Sequence, residues 1–170
     1  MADATISREG ISKPGLAAYA LAILVIALDQ LSKAWILFSY HLAERGSVEI
    51  LPIFHLTMVW NRGVSFGLLR ADADVARWGL AVFSGVVAIA LAIWARRIVK
   101  PLTALAVGLI IGGAVGNLID RVRFGAVADF LDFSGLHFPW VFNVADSGIS
   151  VGVALLLLES LLTPAKPAPR

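Results

Sequence analysis

The chain is predicted to be an α-helical membrane protein: four transmembrane helices with both termini cytoplasmic, plus a small β-sheet platform in the first outer loop. Three observations lead there. The 170 residues are 59% hydrophobic and only 15% charged, whereas a soluble domain carries about 25% charged residues. Four apolar runs are long enough for a bilayer, which takes roughly 20 residues of helix. Basic residues gather in three short segments, as membrane topology requires. Length suggests one integral membrane domain over residues 1–170, with spans near 16–38, 78–95, 102–119 and 144–162 and outer loops at 39–77 and 122–142.

The first span follows a basic N-terminal stretch and resembles a secretory signal. Its apolar core exceeds the usual 7–15 residues and has no clear small-residue cleavage site, so it reads as a retained helix. Arg8 and Lys13 precede this span, Arg96, Arg97 and Lys100 fill the short link between the second and third, and Lys166 and Arg170 end the chain. The positive-inside rule places these segments in the cytoplasm. Trp35, Trp78, Trp94 and Trp140 fall near span ends, where an interfacial aromatic belt belongs. Asp120, Asp129 and Asp146 therefore share the outer face.

Within the first outer loop, residues 48–60 are β-branched and aromatic. Phe54, Leu56, Met58 and Trp60 alternate with His55, Thr57 and Val59, a strand pattern. Asn61-Arg62-Gly63 reads as a turn before a second short strand at 64–68. So apolar a sheet is expected to lie on the membrane surface over the helices. Asp129, Asp132 and His137 fall in the second outer loop.

The spans carry polar residues that apolar surroundings make costly. A carboxylate at membrane depth is disfavoured by at least a few kcal/mol and marks a functional candidate. Asp29 and Lys33 stand one turn apart in the first span, in the order that favours an i,i+4 pair; a structural ion pair is expected, with bracing of a site as the other role. Gly108, Gly112 and Gly116 line one face of the third helix and read as a packing stripe. Asp120 continues that row and has Arg121 and Arg123 as neighbours. On the fourth span Asn143, Asp146, Ser147 and Ser150 form a polar face. Asn143 with Asp146 has the spacing of a capping box, and an acid in a first turn suits the helix dipole. The same residue can equally belong to a carboxylate pair that shares a proton. Spacing leaves both readings of Asp146 open.

Several chemistries are excluded. There is no cysteine, hence no disulfide, thiolate metal site or cysteine nucleophile. His41, His55 and His137 are scattered, and neither a metal-binding helix motif, a nucleophile elbow nor a phosphate loop is present. Asp129 and Asp132 only weakly approach a hard-cation site, so no metal and no cofactor is expected. The net charge of +2 is explained by topology, which argues against nucleic acid. Buried acids and small-residue helices also suit a small membrane transporter or proton-relay protein, but the polar residues gather at one face instead of forming a path across the bilayer.

Five ordered motifs resemble those of the lipoprotein signal peptidases, or signal peptidase II, over nearly the whole chain. Asp29-Gln30-Leu31-Ser32-Lys33 is similar to D-Q-x-x-K, and Asn61-Arg62-Gly63-Val64-Ser65-Phe66 to N-x-G-x-[AS]-F. Residues 112–121 resemble G-G-A-x-G-N-x-x-D-R, Val127-Ala128-Asp129-Phe130 resembles V-x-D-F, and Phe142-Asn143-Val144-Ala145-Asp146 resembles F-N-x-A-D. The resemblance implies an aspartic endopeptidase with Asp129 and Asp146 as its catalytic pair. It implies substrate contacts by Asn61, Asn117, Arg121 and Asn143, and supporting roles for Asp29, Lys33 and Asp120. The implied substrate is a diacylglyceryl-modified prolipoprotein, cut on the N-terminal side of its lipidated cysteine. The implied setting is the bacterial inner membrane among its lipids, with a monomeric enzyme whose active site is at the periplasmic face.

Overall fold

The computed structural model describes residues 10–63 and 73–162. Four helices are long and apolar enough to cross a membrane. The first, α1 (Lys13–Ala34), continues through a π-helical turn at Trp35–Ser39 into the short α2 (Leu42–Arg45). Strands β1 (Ser47–Leu51) and β2 (Phe54–Asn61) follow, then α3 (Ala73–Ala95) and α4 (Pro101–Phe124). After α4 come β3 (Val127–Asp132), a 3₁₀ turn at Ser134–Leu136, β4 (Val141–Phe142) and α5 (Val144–Leu162). The short strand expected at 64–68 lies outside the described residues.

Helix α4 is the hub, packed against α1, α3 and α5. The glycine row is its docking surface for α1: Gly108 faces the Ala18 backbone, Gly112 faces Ala22 and Val25, and Gly116 faces Asp29. A Cβ at Gly116 would stand 2.6 Å from Asp29 Oδ2, so close approach there requires glycine. Gly113 serves α5 in the same way, against the Ala145 carbonyl. The outward faces of α1, α3 and α5 expose Ile23, Leu28, Phe83, Ile89, Leu157 and Leu161, as lipid contact demands. Trp35, Trp78, Trp94 and Trp140 are all exposed.

At the end where α1 begins, polar side chains tie the helices together. Ser12 Oγ donates to Ile98 O at 2.5 Å and Tyr19 OH to Ala92 O at 2.5 Å. Thr103 donates to Glu159, which also pairs with Lys100 at 3.0 Å.

The platform is larger than the first outer loop alone. It is a four-stranded antiparallel sheet in the order β1-β2-β3-β4, two strands from each outer loop. The expected single strand at 48–60 is two strands, because Pro52-Ile53 forms a turn that pairs Leu51 with Phe54. Simple alternation along β2 also fails. Leu56 pairs with Leu131 but Val59 with Asp129, so β2 holds one extra residue in that interval, a bulge. The bulge shifts the pleat by one residue and brings Val59 and Asn61 onto the face that carries Asp129. Asp129, expected in a loop, lies in a central strand. Beneath the sheet Ile36, Leu42, Leu56 and Phe130 form a buried cluster with Val144 packed on it, which seats the platform on the start of α5.

Replacing Gly113 by alanine forces α5 away from α4 and is expected to cost about 1–3 kcal/mol. Gly79 has open space around its Cα; Gly79→Ala is the control and should unfold at the wild-type temperature. Thermal unfolding in detergent, followed by tryptophan fluorescence, compares the two; equal midpoints would refute the close-packing account of Gly113.

Candidate active site

The polar residues converge where α1, α4, β3 and α5 meet. At the centre stands the Lys33 ammonium, 2% exposed as a residue. It lies 2.8 Å from Asp29 Oδ2 and 2.8 Å from Asp120 Oδ2, and donates to Asn117 Oδ1 at 3.3 Å. Two carboxylates thus oppose its charge, and its N–H groups donate to Asp29 and Asn117. Asp120 was flanked in sequence by Arg121 and Arg123, but its partner is Lys33, because α1 lies across the glycine row and delivers the ammonium to that face.

Both acids use their remaining oxygen capacity on other elements. Asp29 Oδ1 accepts the Ala145 backbone N–H at 3.0 Å, one of the first-turn donors of α5 that have no partner within the helix. Asp120 Oδ2 accepts the Ala128 N–H at 3.1 Å and so ties α4 to β3. Gln30 Nε2 spans the pair, donating to Asp29 Oδ2 at 3.1 Å and Asp120 Oδ1 at 3.0 Å. Gln30 was not singled out in the sequence, although the criterion applied to Asp29 and Lys33, a polar residue inside an apolar span, also selects it.

From this base the network rises to the other two carboxylates. Asn117 has its amide orientation set by Lys33, since an ammonium only donates; its Nδ2 therefore points to Asp146 Oδ1, at 2.7 Å. Asn143 is set likewise. Its Oδ1 accepts the Asp146 backbone N–H at 2.9 Å, while Asp146 Oδ2 accepts the Asn143 N–H at 3.3 Å. The capping box read from sequence is thus present. It leaves Asn143 Nδ2 directed at Asp129 Oδ1, 2.6 Å away, and at Asn117 Oδ1, 3.2 Å away. Asn61 Nδ2 donates to the second oxygen of Asp129 at 3.0 Å, from a diagonal position across the β2–β3 pair, while its Oδ1 accepts the Gly63 N–H at 2.8 Å and closes the expected turn.

Arg121 is half-buried at the end of α4, donates to Asn117 O at 3.3 Å and feels the charges of Asp146 and Asp129. Asp132 is held apart by Thr57 Oγ1 at 2.7 Å and the Ser134 N–H at 2.8 Å, an arrangement that shapes a turn. His137 is exposed in that turn. Ser147 donates back to Asn143 O at 2.9 Å, and Ser150 is exposed. A second residue missed in the sequence is Arg77, at the boundary of the first outer loop and the second span; its Nε donates to Arg121 O at 2.7 Å.

Burial first, and then the negative charge of Asp146, push the Asp129 carboxyl up to about 6, against the lowering effect of the Asn61 and Asn143 amides. Asp129 is 1% exposed yet lines a cavity of about 420 Å³ with Val59, Trp60, Pro139, Trp140 and Val141. Two carboxylates linked through one asparagine, one of them with a raised pKa beside an open cavity, are equipped for acid–base hydrolysis.

Residues 21–162 match the family described as Signal peptidase (SPase) II. The chain belongs to that family. A lipoprotein signal peptidase of Caulobacter vibrioides is 56% identical over 154 residues, 90% of this chain and 91% of the relative. One of Shewanella halifaxensis is 43% identical, covering 88% of each. A solved bacterial membrane enzyme at 1.9 Å resolution superposes with a TM-score of 0.75 at 28% identity, over 92% of this chain and 99% of that one. The protein is a multi-pass membrane peptidase of the aspartic type that removes signal peptides from prolipoproteins, and the transporter reading is set aside.

Two measurements probe this geometry. Lys33→Met leaves Asp29 and Asp120 buried together without their cation, and should cost about 3–5 kcal/mol. Thermal unfolding in detergent checks it, and a wild-type midpoint would show that the ammonium is dispensable. The second concerns pH. The Asp129 pKa in the fold, about 6, exceeds its unfolded value of 3.8, so the folded state holds the extra proton between them. Stability contributed by this group is therefore greatest below pH 3.8 and is lost as pH rises through about 6. Relative to Asp129→Asn, the wild type should lose melting temperature as pH rises through that window; a gap independent of pH would refute the shift.

Proposed function

We propose that Asp129 and Asp146 are the catalytic pair, acting on diacylglyceryl-modified prolipoproteins at the periplasmic face of the bacterial inner membrane. The observation that carries this reading is Asn143, whose one side chain holds the Asp146 backbone N–H with its oxygen and the Asp129 carboxylate with its nitrogen. The two acids are thereby registered to each other by a rigid amide. The placement of basic residues supports the orientation: Arg96, Arg97 and Lys100 lie at the opposite end of the bundle from the acids. The enzyme is read as a single membrane domain, monomeric, working among membrane lipids.

Asp129 holds the shared proton, because burial and the neighbouring charge disfavour its ionised form. Asp146, ionised, takes a proton from a water between the two carboxyls, and the hydroxide attacks the carbonyl that precedes the lipidated cysteine. Asp129 donates to the developing oxyanion; as the tetrahedral intermediate collapses, Asp146 passes the proton it took from water to the cysteine nitrogen, which leaves as the amine, and a hydroxyl of the intermediate returns its proton to Asp129. Peptide binding over the cavity removes further water and pushes Asp129 toward its neutral form. Asn61, Asn117, Asn143 and Arg121 supply the donors that orient the peptide and the two acids. Asp29, Lys33 and Asp120 act from beneath, by fixing Asn117 and the first turn of α5.

Asp129→Asn and Asp146→Asn should each lower cleavage by at least about a thousandfold, within the range of a lost general acid or base, while the protein stays folded. The assay is release of signal peptide from a diacylglyceryl-modified precursor, run beside its unlipidated twin. Near-normal turnover by either variant would refute the pair, and equal cleavage of both peptides would refute the lipid requirement.

A further inference from the structure

Helix α3 contributes little to the network just described, yet one side chain from its first two turns reaches the end of α4. Arg77 Nε donates to Arg121 O at 2.7 Å and Nη2 donates to Val122 O at 2.9 Å. These are consecutive carbonyls in the last turn of α4, at the negative end of its dipole, where a cation is favoured. Gly125, in the left-handed conformation, ends the helix and already donates its own N–H to Arg121 O at 3.2 Å. The Arg77 bond to that oxygen is therefore additional to an ordinary helix cap. The guanidinium lies 4.9 Å from the Trp78 ring centroid, which limits its swing.

What this turn carries gives the contact its meaning. It holds Asp120 and Arg121, follows Asn117 by one turn, and leads through Gly125-Ala126 directly into β3 and Asp129. A helix end that rotates or frays would move Arg121 and the start of β3 together. A planar fork gripping two adjacent carbonyls opposes that motion, whereas a lysine offers a point charge on a flexible stem with no fixed geometry between its donors.

We propose that Arg77 is a positioning residue of this peptidase: by clamping the last turn of α4 it sets where Arg121 and, through the α4–β3 corner, Asp129 stand. The inference rests on the assignment of Asp129 and Asp146 as the reacting pair. Arg77 does not touch the reacting atoms, so its loss should leave the peptide bound but poorly aligned.

The experiment uses the purified full chain in detergent with a diacylglyceryl-modified precursor peptide. Arg77→Ala should lower kcat about tenfold with KM changed by less than about twofold, the pattern of an alignment needed in the transition state. Millimolar guanidinium, below denaturing levels, should restore part of the lost rate, and ammonium should not. Arg77→Lys, which keeps the charge and the fold but loses the fork, should also fall in kcat. Tyr19→Phe, which removes a helix-to-helix hydrogen bond at the far end, is the control for stability alone and should lower the melting temperature without altering kcat. Wild-type kcat in Arg77→Lys would overturn the proposal, as would a loss in Arg77→Ala that guanidinium does not relieve and that tracks the unfolded fraction. Cleavage by Asp129→Asn would instead strike the assignment on which the inference rests, and the two failures are read from separate variants.

Discussion

A lysine ammonium shut away from water dictates the architecture of this site. Stripped of solvent, Lys33 is tolerated only with its charge opposed, because an uncompensated buried ion costs several kcal/mol. Asp29 comes from the same helix, but Asp120 and Asn117 come from α4, so the helices must be close enough for a 2.8 Å contact. Each acid then recruits a further element, Asp29 the first turn of α5 and Asp120 the start of β3. One buried cation thus fixes the mutual placement of α1, α4, β3 and α5.

The glycine row and the polar row are parts of one design. Bulk on that face of α4 would hold α1 off, and Lys33 would not reach its partners. Gly116 is where the two functions meet, since its missing side chain is the space occupied by the Asp29 carboxylate. Packing in lipid has no hydrophobic driving force between helices, so close contact and hydrogen bonds must supply the association. Here the same residues supply both.

Asparagine does the connecting work above that base. An amide has a donor end and an acceptor end, and a network that settles which is which transmits orientation without moving charge. Lys33 settles Asn117, and the Asp146 backbone settles Asn143; the free donors then point to Asp146 and Asp129. The capping box of α5 and the proposed catalytic geometry are therefore the same set of bonds seen from two sides. Of the alternatives that spacing left open for Asp146, the cap is present and does not exclude the proposed pair, since Asn143 serves both.

Much of this could be read from the chain alone. Run length and hydropathy determined four spans, because a bilayer imposes a length on any helix that crosses it. Charge asymmetry set the expected orientation, and helical spacing identified the glycine row, the Asp29–Lys33 pair and the Asn143–Asp146 cap, all of which depend on neighbours within a turn or two. What tertiary structure alone decided depends on partners distant in sequence. Asp120 was next to two arginines and chose a lysine 87 positions earlier, because helix docking rather than adjacency controls what a buried acid meets. Asp129 looked like a loop residue until pairing with β2 made it part of a sheet, and a bulge, which no alternation pattern reveals, turned Asn61 toward it. Arg77 carried no signal, since a cation near a span end is ordinary and its meaning lies wholly in the helix terminus it reaches.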